Sequence, residues 1–329
     1  RDPRAGARAA WLDARDARRF RHRLLGWIPS GSFSGEVAGK QLFAKENGLD
    51  LEIRAGGPSI NTITLVASGQ DTFGTLAADE VLLANEAGAD LVIIGVINDI
   101  SPGGFVALEK SEIRSPQDFP GHTVGVLPFG STTLLYEAML AINGVDRASV
   151  REVTVSPDLR SFIEGAYDVH PVFVYDETVT LDQQGIPYTL IEPKNFGVEF
   201  KGPVYFTTRR VVDEHPELID AFVRTMVKGW QYALKNPDQA IEMLHQFAPE
   251  IDPGRERNVL LKGSSYFRAY RDEPVNSDPA SWAPMVQRLV DFKRLKAMPD
   301  LSRVVQLQWV NKVYQKGLTG GASGKDADK

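Results

Sequence analysis

An aromatic residue and two carboxylates stand side by side at Tyr175-Asp176-Glu177, and they are the first residues in which a chemical role can be sought. They directly follow the apolar run 172–174, which is typical of a strand. Catalysis by two carboxylates needs a reacting group between them and one raised pKa, but adjacent residues at a helix start point in different directions. We therefore interpret the acidic pair as a helix start, with Glu177 as a candidate acceptor of a hydrogen bond from a bound molecule.

Two hydroxyl-bearing turns form a second candidate site. Residues 28–32 (IPSGS) and 127–131 (LPFGS) each lead into a helical pattern that ends at Asn-Gly. Backbone N–H groups and hydroxyls at such helix starts make a polar cradle, and ligands in open α/β sheets bind beyond the carboxyl ends of the strands. We expect Ser30, Ser131 and Thr132 to face each other across a cleft, although ordinary N-caps would give the same pattern. Trp27 is a candidate stacking surface, with core packing as the alternative.

Signatures of catalysis are missing from the sequence. There is no G-x-S-x-G, P-loop, G-x-G-x-x-G or H-E-x-x-H pattern, and the chain contains no cysteine. The absence of cysteine excludes disulfides, thiolate metal sites and cysteine nucleophiles. We therefore predict no catalytic residue and no cofactor. We also predict no metal site, because no two histidines stand at metal-ligand spacing. The five histidines are His22, His122, His170, His215 and His245.

Composition and charge narrow the class of protein. The 329 residues are 43% apolar and 24% charged, which is ordinary for a soluble globular protein of about two domains. The formal charge is −6, but residues 1–23 carry +5 and the remainder −11. An acidic body argues against nucleic acid as a partner. No run of ~18 apolar residues could span a membrane, and residues 1–23 lack the apolar core of a signal peptide, so we expect any export signal to lie outside this sequence.

The order of strand and helix patterns predicts an α/β fold of two lobes. Short strands alternate with helices as far as Thr208, and helices follow, with one broad apolar face between Ile219 and Leu234. We expect the chain to cross between the lobes after the run Phe105–Leu108 and to return at Val204–Thr208. The predicted divisions are 1–23, a basic and flexible segment; 24–110 plus 209–316, the first lobe; 111–208, the second lobe; and 317–329, a disordered tail.

A family resemblance appears in a series of short segments. The chain resembles the thiamine-pyrimidine-precursor family of periplasmic binding proteins, which has taurine-, sulfonate- and riboflavin-binding relatives. The resemblance covers roughly residues 24–250, and two positions depart from it: Asp176 stands where the family often has Asn, and His122 where it often has Lys. The matching segments, in order, are 26–29 (GWIP), 38–40 (AGK), 46–53 (ENGLDLEI), 67–74 (ASGQDTFG), 113–121 (IRSPQDFPG), 124–126 (VGV), 175–177 (YDE), 228–230 (KGW), 233–234 (AL) and 236–237 (NP).

The resemblance implies a type II periplasmic-binding-protein fold with a C-terminal helical segment, in which two lobes close on a ligand by a hinge. It implies a monomeric, extracytoplasmic solute-binding protein that delivers a small-molecule ligand, such as a thiamine pyrimidine precursor, to an ABC permease in the inner membrane. Riboflavin or a sulfonate such as taurine is the alternative ligand. A pyrimidine-synthesising enzyme is the alternative class, which the lack of cysteine disfavours. The implied ligand-binding residues are Trp27, Ser30, Asp79, Asn98, Ser131, Thr132, Tyr175 and Glu177.

Overall fold

The computed structural model describes residues 28–57, 60–128 and 130–317. Trp27, the basic segment 1–23 and nearly all of the tail predicted at 317–329 lie outside the described residues. Within the described ranges, no helix is long and apolar enough to cross a membrane.

The first sheet has three strands, β1 (Gly74–Ala77), β2 (Leu91–Val96) and β8 (Pro203–Thr208), in the order β1-β8-β2. Strand β8 runs antiparallel to both neighbours. The sequence predicts paired parallel strands here, and that pairing is wrong, because β8 returns from the far part of the chain and inserts between β1 and β2. Strand β2 is buried along its whole length, which explains its unbroken apolar sequence.

The second sheet has five strands in the order β5-β4-β6-β3-β7. Strand β4 pairs in parallel with β5 and β6, whereas β3 is antiparallel to β6 and β7. The bounds of these strands are β3 Gly103–Leu108, β4 Thr123–Val126, β5 Arg151–Thr154, β6 Val169–Phe173 and β7 Tyr188–Ile191.

Two strands lie in the opposite sheet from the one that the sequence predicts. β3 pairs with β6 and β7 in the second sheet, and β8 belongs to the first sheet. The chain therefore crosses between the sheets one strand earlier than the predicted positions after Leu108 and at Val204–Thr208. The first crossing precedes β3, and the second precedes β8. An apolar strand reads the same in either sheet, so local pattern could not place it.

Fourteen α-helices lie within the described residues, together with short 3₁₀ turns and one π-helical stretch, Gly39–Phe43. The segment predicted as a strand at Leu49–Arg54 buries its alternate residues but joins neither sheet. The helices are α1 Ser34–Ala38, α2 Thr62–Ala67, α3 Ala78–Glu86, α4 Ser131–Ile142, α5 Arg160–Ile163, α6 Glu177–Gln183, α7 Arg209–Glu214, α8 Pro216–Lys235, α9 Pro237–Phe247, α10 Pro253–Lys262, α11 Ser264–Phe267, α12 Trp282–Asp291, α13 Leu301–Val304 and α14 Gln308–Gly317.

Helix α8 packs closely against α1. A Cβ atom at Gly229 would lie 2.2 Å from the carbonyl oxygen of Gly35 and 2.6 Å from the Cα atom of Gly39. Glycine is therefore required where the two backbones meet. The predicted apolar face of α8 is confirmed: Ile219 and Trp230 are fully buried, and Leu234 at its edge is half-buried.

Two crossover segments, residues 97–102 and 198–202, connect the sheets. They lie side by side: the N–H of Ser101 donates to the carbonyl of Phe200 at 2.7 Å, and a second backbone hydrogen bond of 2.9 Å joins the same segments. Paired connections of this kind are where two lobes can rotate relative to each other.

An ion pair locks the two crossover segments together. The Nζ atom of Lys201 lies 2.6 Å from Oδ1 of Asp99, and the lysine side chain is only 3% exposed. The hydroxyl of Ser277 donates to the same carboxylate and accepts the indole N–H of Trp282 at 2.9 Å. A buried charge needs such partners, since removing one of them leaves the other uncompensated.

Candidate functional site

Tyr175, at the end of β6, reaches from the second sheet to residues attached to the first. Its hydroxyl donates to Oδ1 of Asn98 at 3.2 Å, and Asn98 lies two residues beyond β2 in the first crossover segment. Both side chains are buried, Tyr175 at 2% and Asn98 at 0% exposure. Two residues that the sequence names as ligand-binding candidates are thus in direct contact.

Aromatic rings continue from Tyr175 into the first lobe. The Tyr175 ring is tilted against Phe267 with centroids 4.9 Å apart, and it meets Tyr266 edge-on at 5.8 Å. Phe267 in turn stacks on Trp230 at 4.6 Å. These rings meet at different angles, and the tyrosine hydroxyls give the cluster polar edges. Aromatic side chains of this kind commonly line ligand sites, and we call Tyr175, Tyr266, Phe267 and Trp230 the aromatic wall.

Glu36 is buried behind this wall and was missed by the sequence reasoning. Its Oε1 atom accepts the hydroxyl proton of Tyr205 at 2.6 Å, and that hydroxyl accepts the indole N–H of Trp230 at 2.9 Å. Burial raises the pKa of Glu36 to about 7, and the hydrogen bond from Tyr205 opposes the rise only in part. A signal was available in the sequence: a carboxylate interrupts the small and apolar run 34–38, all of which is buried.

The pKa of the Tyr175 hydroxyl depends on Glu36 and on two other nearby carboxyl groups. Burial raises the pKa of Tyr175 well above its ordinary value, and the charges of Asp176, Glu177 and Glu36 add to the rise. Tyr175 therefore remains a neutral hydrogen-bond donor at any physiological pH.

The predicted hydroxyl cradle at α4 lies beside the first crossover segment. Ser131 and Thr132 are buried at 8% and 5% exposure in the first turn of that helix. A Cβ atom on Gly103 would lie 3.3 Å from the hydroxyl of Ser101 and 3.8 Å from that of Thr132, so these two hydroxyls converge on one point of the backbone. Glycine is required there, because a Cβ atom would also lie 2.4 Å from Cδ1 of Leu135, which fills the space beside the two hydroxyls.

The other predicted cradle is filled from within the chain. The N–H of Gly31 donates to Oε2 of Glu256 at 2.6 Å, and Ser30 caps its own turn by accepting from the N–H of Ser32 at 3.3 Å. The two cradles therefore differ, since the carboxylate of Glu256 already occupies the cradle at Gly31. Whether Ser30 contacts a ligand stays a prediction.

Arg255 links Glu256 to residues of the second lobe. Its guanidinium donates to Oε1 of Glu256 at 2.6 Å, to Asp176, and to the hydroxyl of Thr180 at 3.3 Å. Lys262 on the same helix pairs with Asp182 across the interface. We call Arg255 and Lys262 with these partners the interlobe bridge. Local sequence patterns do not predict it, because Asp176 and Asp182 are 79 and 80 residues away from the cations that they bind.

One of the two carboxylate oxygens of Glu177 is already paired within the chain. Its Oε2 atom accepts the backbone N–H of Phe173 at 2.7 Å, so the side chain folds back on the strand that precedes it. Burial raises the pKa of Glu177, and the neighbouring charge of Asp176 adds to the rise. Its role as a ligand acceptor stays a prediction, with the second carboxylate oxygen as the atom that could serve.

Asp79 lies in the first turn of α3 and is 1% exposed. The N–H of Ala78 donates to the carbonyl of Gly202 at 3.1 Å, and a Cβ atom on Gly202 would lie 2.8 Å from Cβ of Asn98. This helix start is therefore next to the crossover segments. Burial raises the pKa of Asp79 to about 8, and the charge of Glu80 contributes.

Comparison with known proteins identifies the kind of chain. A family model described as "NMT1/THI5 like" matches residues 36–240, more than half of the sequence. Two curated proteins align over most of their length. The 4-amino-5-hydroxymethyl-2-methylpyrimidine phosphate synthase of Legionella pneumophila is 24% identical over 250 residues, which are 74% of this chain and 78% of that protein. The formylaminopyrimidine-binding protein of Halalkalibacterium halodurans is 28% identical over 227 residues, 67% of this chain and 68% of that protein.

Solved structures share the fold. The periplasmic sulfonate-binding protein SsuA from Methylobacillus flagellatus KT superimposes with a TM-score of 0.71 at 15% identity, covering 94% of this chain and 99% of that one. The predicted α/β fold of the two-lobed periplasmic-binding-protein type, with its C-terminal helices, is thereby confirmed, as is the family resemblance.

Proposed function

We propose, from the fact that this chain belongs to the NMT1/THI5-like family, that it is an extracytoplasmic solute-binding protein that delivers a small aromatic heterocycle to an ABC permease. A thiamine pyrimidine precursor is the ligand class that we favour. The lobes that close on it are formed around the two sheets, and the crossover segments serve as the hinge. The protein acts as a monomer.

The observation that carries this proposal is the position of Tyr175. A buried aromatic ring from the second sheet meets Asn98 of the crossover and Phe267 of the first lobe at one place. Ligand sites of two-lobed receptors need contacts from both lobes, because only then does binding favour closure. Rings of this size supply most of the binding free energy for a planar ligand.

The charge distribution favours a heterocycle over a sulfonate. A sulfonate site needs a cation with donors to spare. Arg255 is the cation of the interlobe bridge, but its donors are engaged by Asp176, Glu256 and Thr180. Carboxyl groups such as Glu36 instead suit a ligand that carries N–H donors. Riboflavin, which also carries a ring N–H, remains the second candidate ligand.

The second candidate function is enzymatic, and the similarity to the Legionella synthase is the observation that favours it. Covalent chemistry on a carbonyl compound would need a lysine whose amine is released from ion pairs. Lys201 is a buried lysine, but its Nζ atom is held by Asp99 at 2.6 Å. We therefore favour binding without turnover.

A thermal-shift screen tests the proposal. The panel contains formylaminopyrimidine, 4-amino-5-hydroxymethyl-2-methylpyrimidine, riboflavin and taurine. A ligand at 100 times its Kd stabilises the native state by about 2.7 kcal/mol, which corresponds to a Tm increase of roughly 4 °C for a protein of 329 residues. We expect that increase from an aromatic heterocycle.

Two variants show whether the ligand binds where we propose. Tyr175→Leu should abolish the ligand-induced increase in Tm. Tyr136→Leu is the matched control, since Tyr136 is equally buried in the second lobe but packs against Phe105 and Phe119. Equal ligand-induced shifts in both variants would place the ligand elsewhere, and a response to taurine alone would replace the heterocycle by a sulfonate.

A further inference from the structure

Two polar atoms close to Tyr175 are buried without a hydrogen-bond partner in the described part of the chain: Oε2 of Glu36 and Nδ2 of Asn98. Both side chains have an exposure of 0%. Leaving such a group unpaired costs about 1–3 kcal/mol, so proteins contain few of them. The two atoms therefore call for a partner that the folded chain itself does not supply.

The other half of each side chain is held in place. Oε1 of Glu36 accepts from Tyr205, whose own hydroxyl is fixed by Trp230. Oδ1 of Asn98 accepts from Tyr175. Because one end is fixed, the orientation of the unpaired end is fixed as well, which is the preorganisation that selective binding needs.

The two unpaired atoms have complementary chemistry. An amide nitrogen such as Nδ2 of Asn98 only donates, and a carboxylate oxygen such as Oε2 of Glu36 accepts. A nitrogen heterocycle that carries an amino group beside a ring nitrogen offers the matching donor and acceptor. A sulfonate offers acceptors only and would leave the carboxylate unpaired.

We infer that Glu36 and Asn98 form the polar edge of the ligand site, and that Glu36 is the residue that selects ligands that present an exocyclic amino group over analogues that present an oxygen acceptor at the same position. This inference rests on the proposed function and names the recognition chemistry within it. Rejection of an analogue that leaves a buried polar group unpaired is stronger than the discrimination that a single methylene group provides in an apolar pocket. The residue thus decides specificity, while the aromatic wall supplies affinity.

The test compares two ligands in wild-type protein and in Glu36→Gln. Isothermal titration calorimetry at pH 8.5, where the carboxyl group of Glu36 is ionised and accepts only, measures Kd for 4-amino-5-hydroxymethyl-2-methylpyrimidine and for its 4-oxo counterpart. The substitution keeps the shape and the contact with Tyr205 but replaces the acceptor by an amide that can also donate. We expect the ratio of the two Kd values to shift at least tenfold in favour of the oxo compound. A purely structural role would weaken both ligands equally and leave the ratio unchanged.

Two further variants test whether the effect is specific to Glu36 and whether Asn98 donates to the ligand. Glu46→Gln alters an exposed carboxylate of the same lobe, with 51% of its side chain accessible, and should leave both Kd values unchanged. Asn98→Ser, which shortens the donor, should weaken both ligands. An unchanged ratio in Glu36→Gln, with normal wild-type binding, overturns the inference alone. If wild-type protein binds neither compound nor any other heterocycle, the proposed function fails and the inference fails with it.

Discussion

Replacing Glu36 by glutamine should change how the stability of the protein depends on pH. The carboxyl group is fully buried, and burial raises its pKa from the ordinary 4.5 to about 7. Below pH 4.5 the group is protonated in both folded and unfolded chains. Between pH 4.5 and 7 the unfolded chain ionises first, so the free energy of unfolding falls as pH rises, and above pH 7 the loss is complete.

The magnitude follows from the size of the shift. A rise of about 2.5 pH units at 1.36 kcal/mol per unit corresponds to a loss of about 3 kcal/mol. Glutamine does not titrate, so the variant lacks this loss. Relative to wild type, Glu36→Gln should gain about 2 to 3 kcal/mol of unfolding free energy between pH 5 and pH 8.5.

Urea denaturation at pH 5 and pH 8.5 measures this difference. Other titrating groups affect both proteins alike, so the comparison isolates Glu36. The exposed Glu46→Gln variant should track wild type at both pH values. If the Glu36→Gln and wild-type stabilities changed in parallel with pH, the carboxyl group would not be buried as described, and the account of Glu36 would be refuted.

Three further substitutions test the interlobe bridge, the hinge and the helix contact. Arg255→Ala should weaken ligand binding about tenfold through faster dissociation, as surface plasmon resonance would show, because it removes charge-assisted contacts between the lobes. Arg257 lies on the same helix in an exposed ion pair, so Arg257→Ala should leave ligand dissociation unchanged. If Arg257→Ala and Arg255→Ala speeded dissociation equally, the role of the interlobe bridge would be contradicted. Lys201→Met should destabilise the protein by about 3–5 kcal/mol in urea denaturation by leaving the charge of Asp99 without its cation, and adding Asp99→Asn should recover part of the loss; no recovery would contradict the ion pair. Gly229→Ala should cost at least about 1–3 kcal/mol in the same assay, because its Cβ atom would lie 2.2 Å from a facing carbonyl oxygen, and a neutral result would contradict the close packing.

The sequence predicted most of the secondary structure but not the pairing of the strands. The amphipathic helix from Pro216 and the fully apolar strand Leu91–Val96 are local patterns, and both are confirmed. The insertion of β8 between β1 and β2 depends on contacts between residues far apart in the chain. No short-range periodicity reports such contacts, so the sequence pattern groups strands 103–108 and 203–208 with the wrong sheet.

The same limit applies to the candidate site. Asn98 and Tyr175 were named from the family resemblance, and the structure brings them into contact. Glu36 was missed, since a carboxylate in a helical pattern ordinarily lies on the solvated face. The small and apolar neighbours in the run 34–38 are the one local signal against that expectation, and the packing of α1 against α8 shows that the side chain is buried. Glu256 was missed for a related reason, because its partner Gly31 is 225 residues away.

The central claim is that the protein binds an aromatic heterocycle between its lobes and releases it unchanged. Calorimetric titration with formylaminopyrimidine, 4-amino-5-hydroxymethyl-2-methylpyrimidine and riboflavin, followed by mass spectrometry of the recovered compounds, tests it most directly. The account predicts saturable binding of one molecule per chain for at least one of them, lost in Tyr175→Leu, with the ligand mass unaltered. Absence of binding by all three, or conversion of a bound compound into a product, would contradict it.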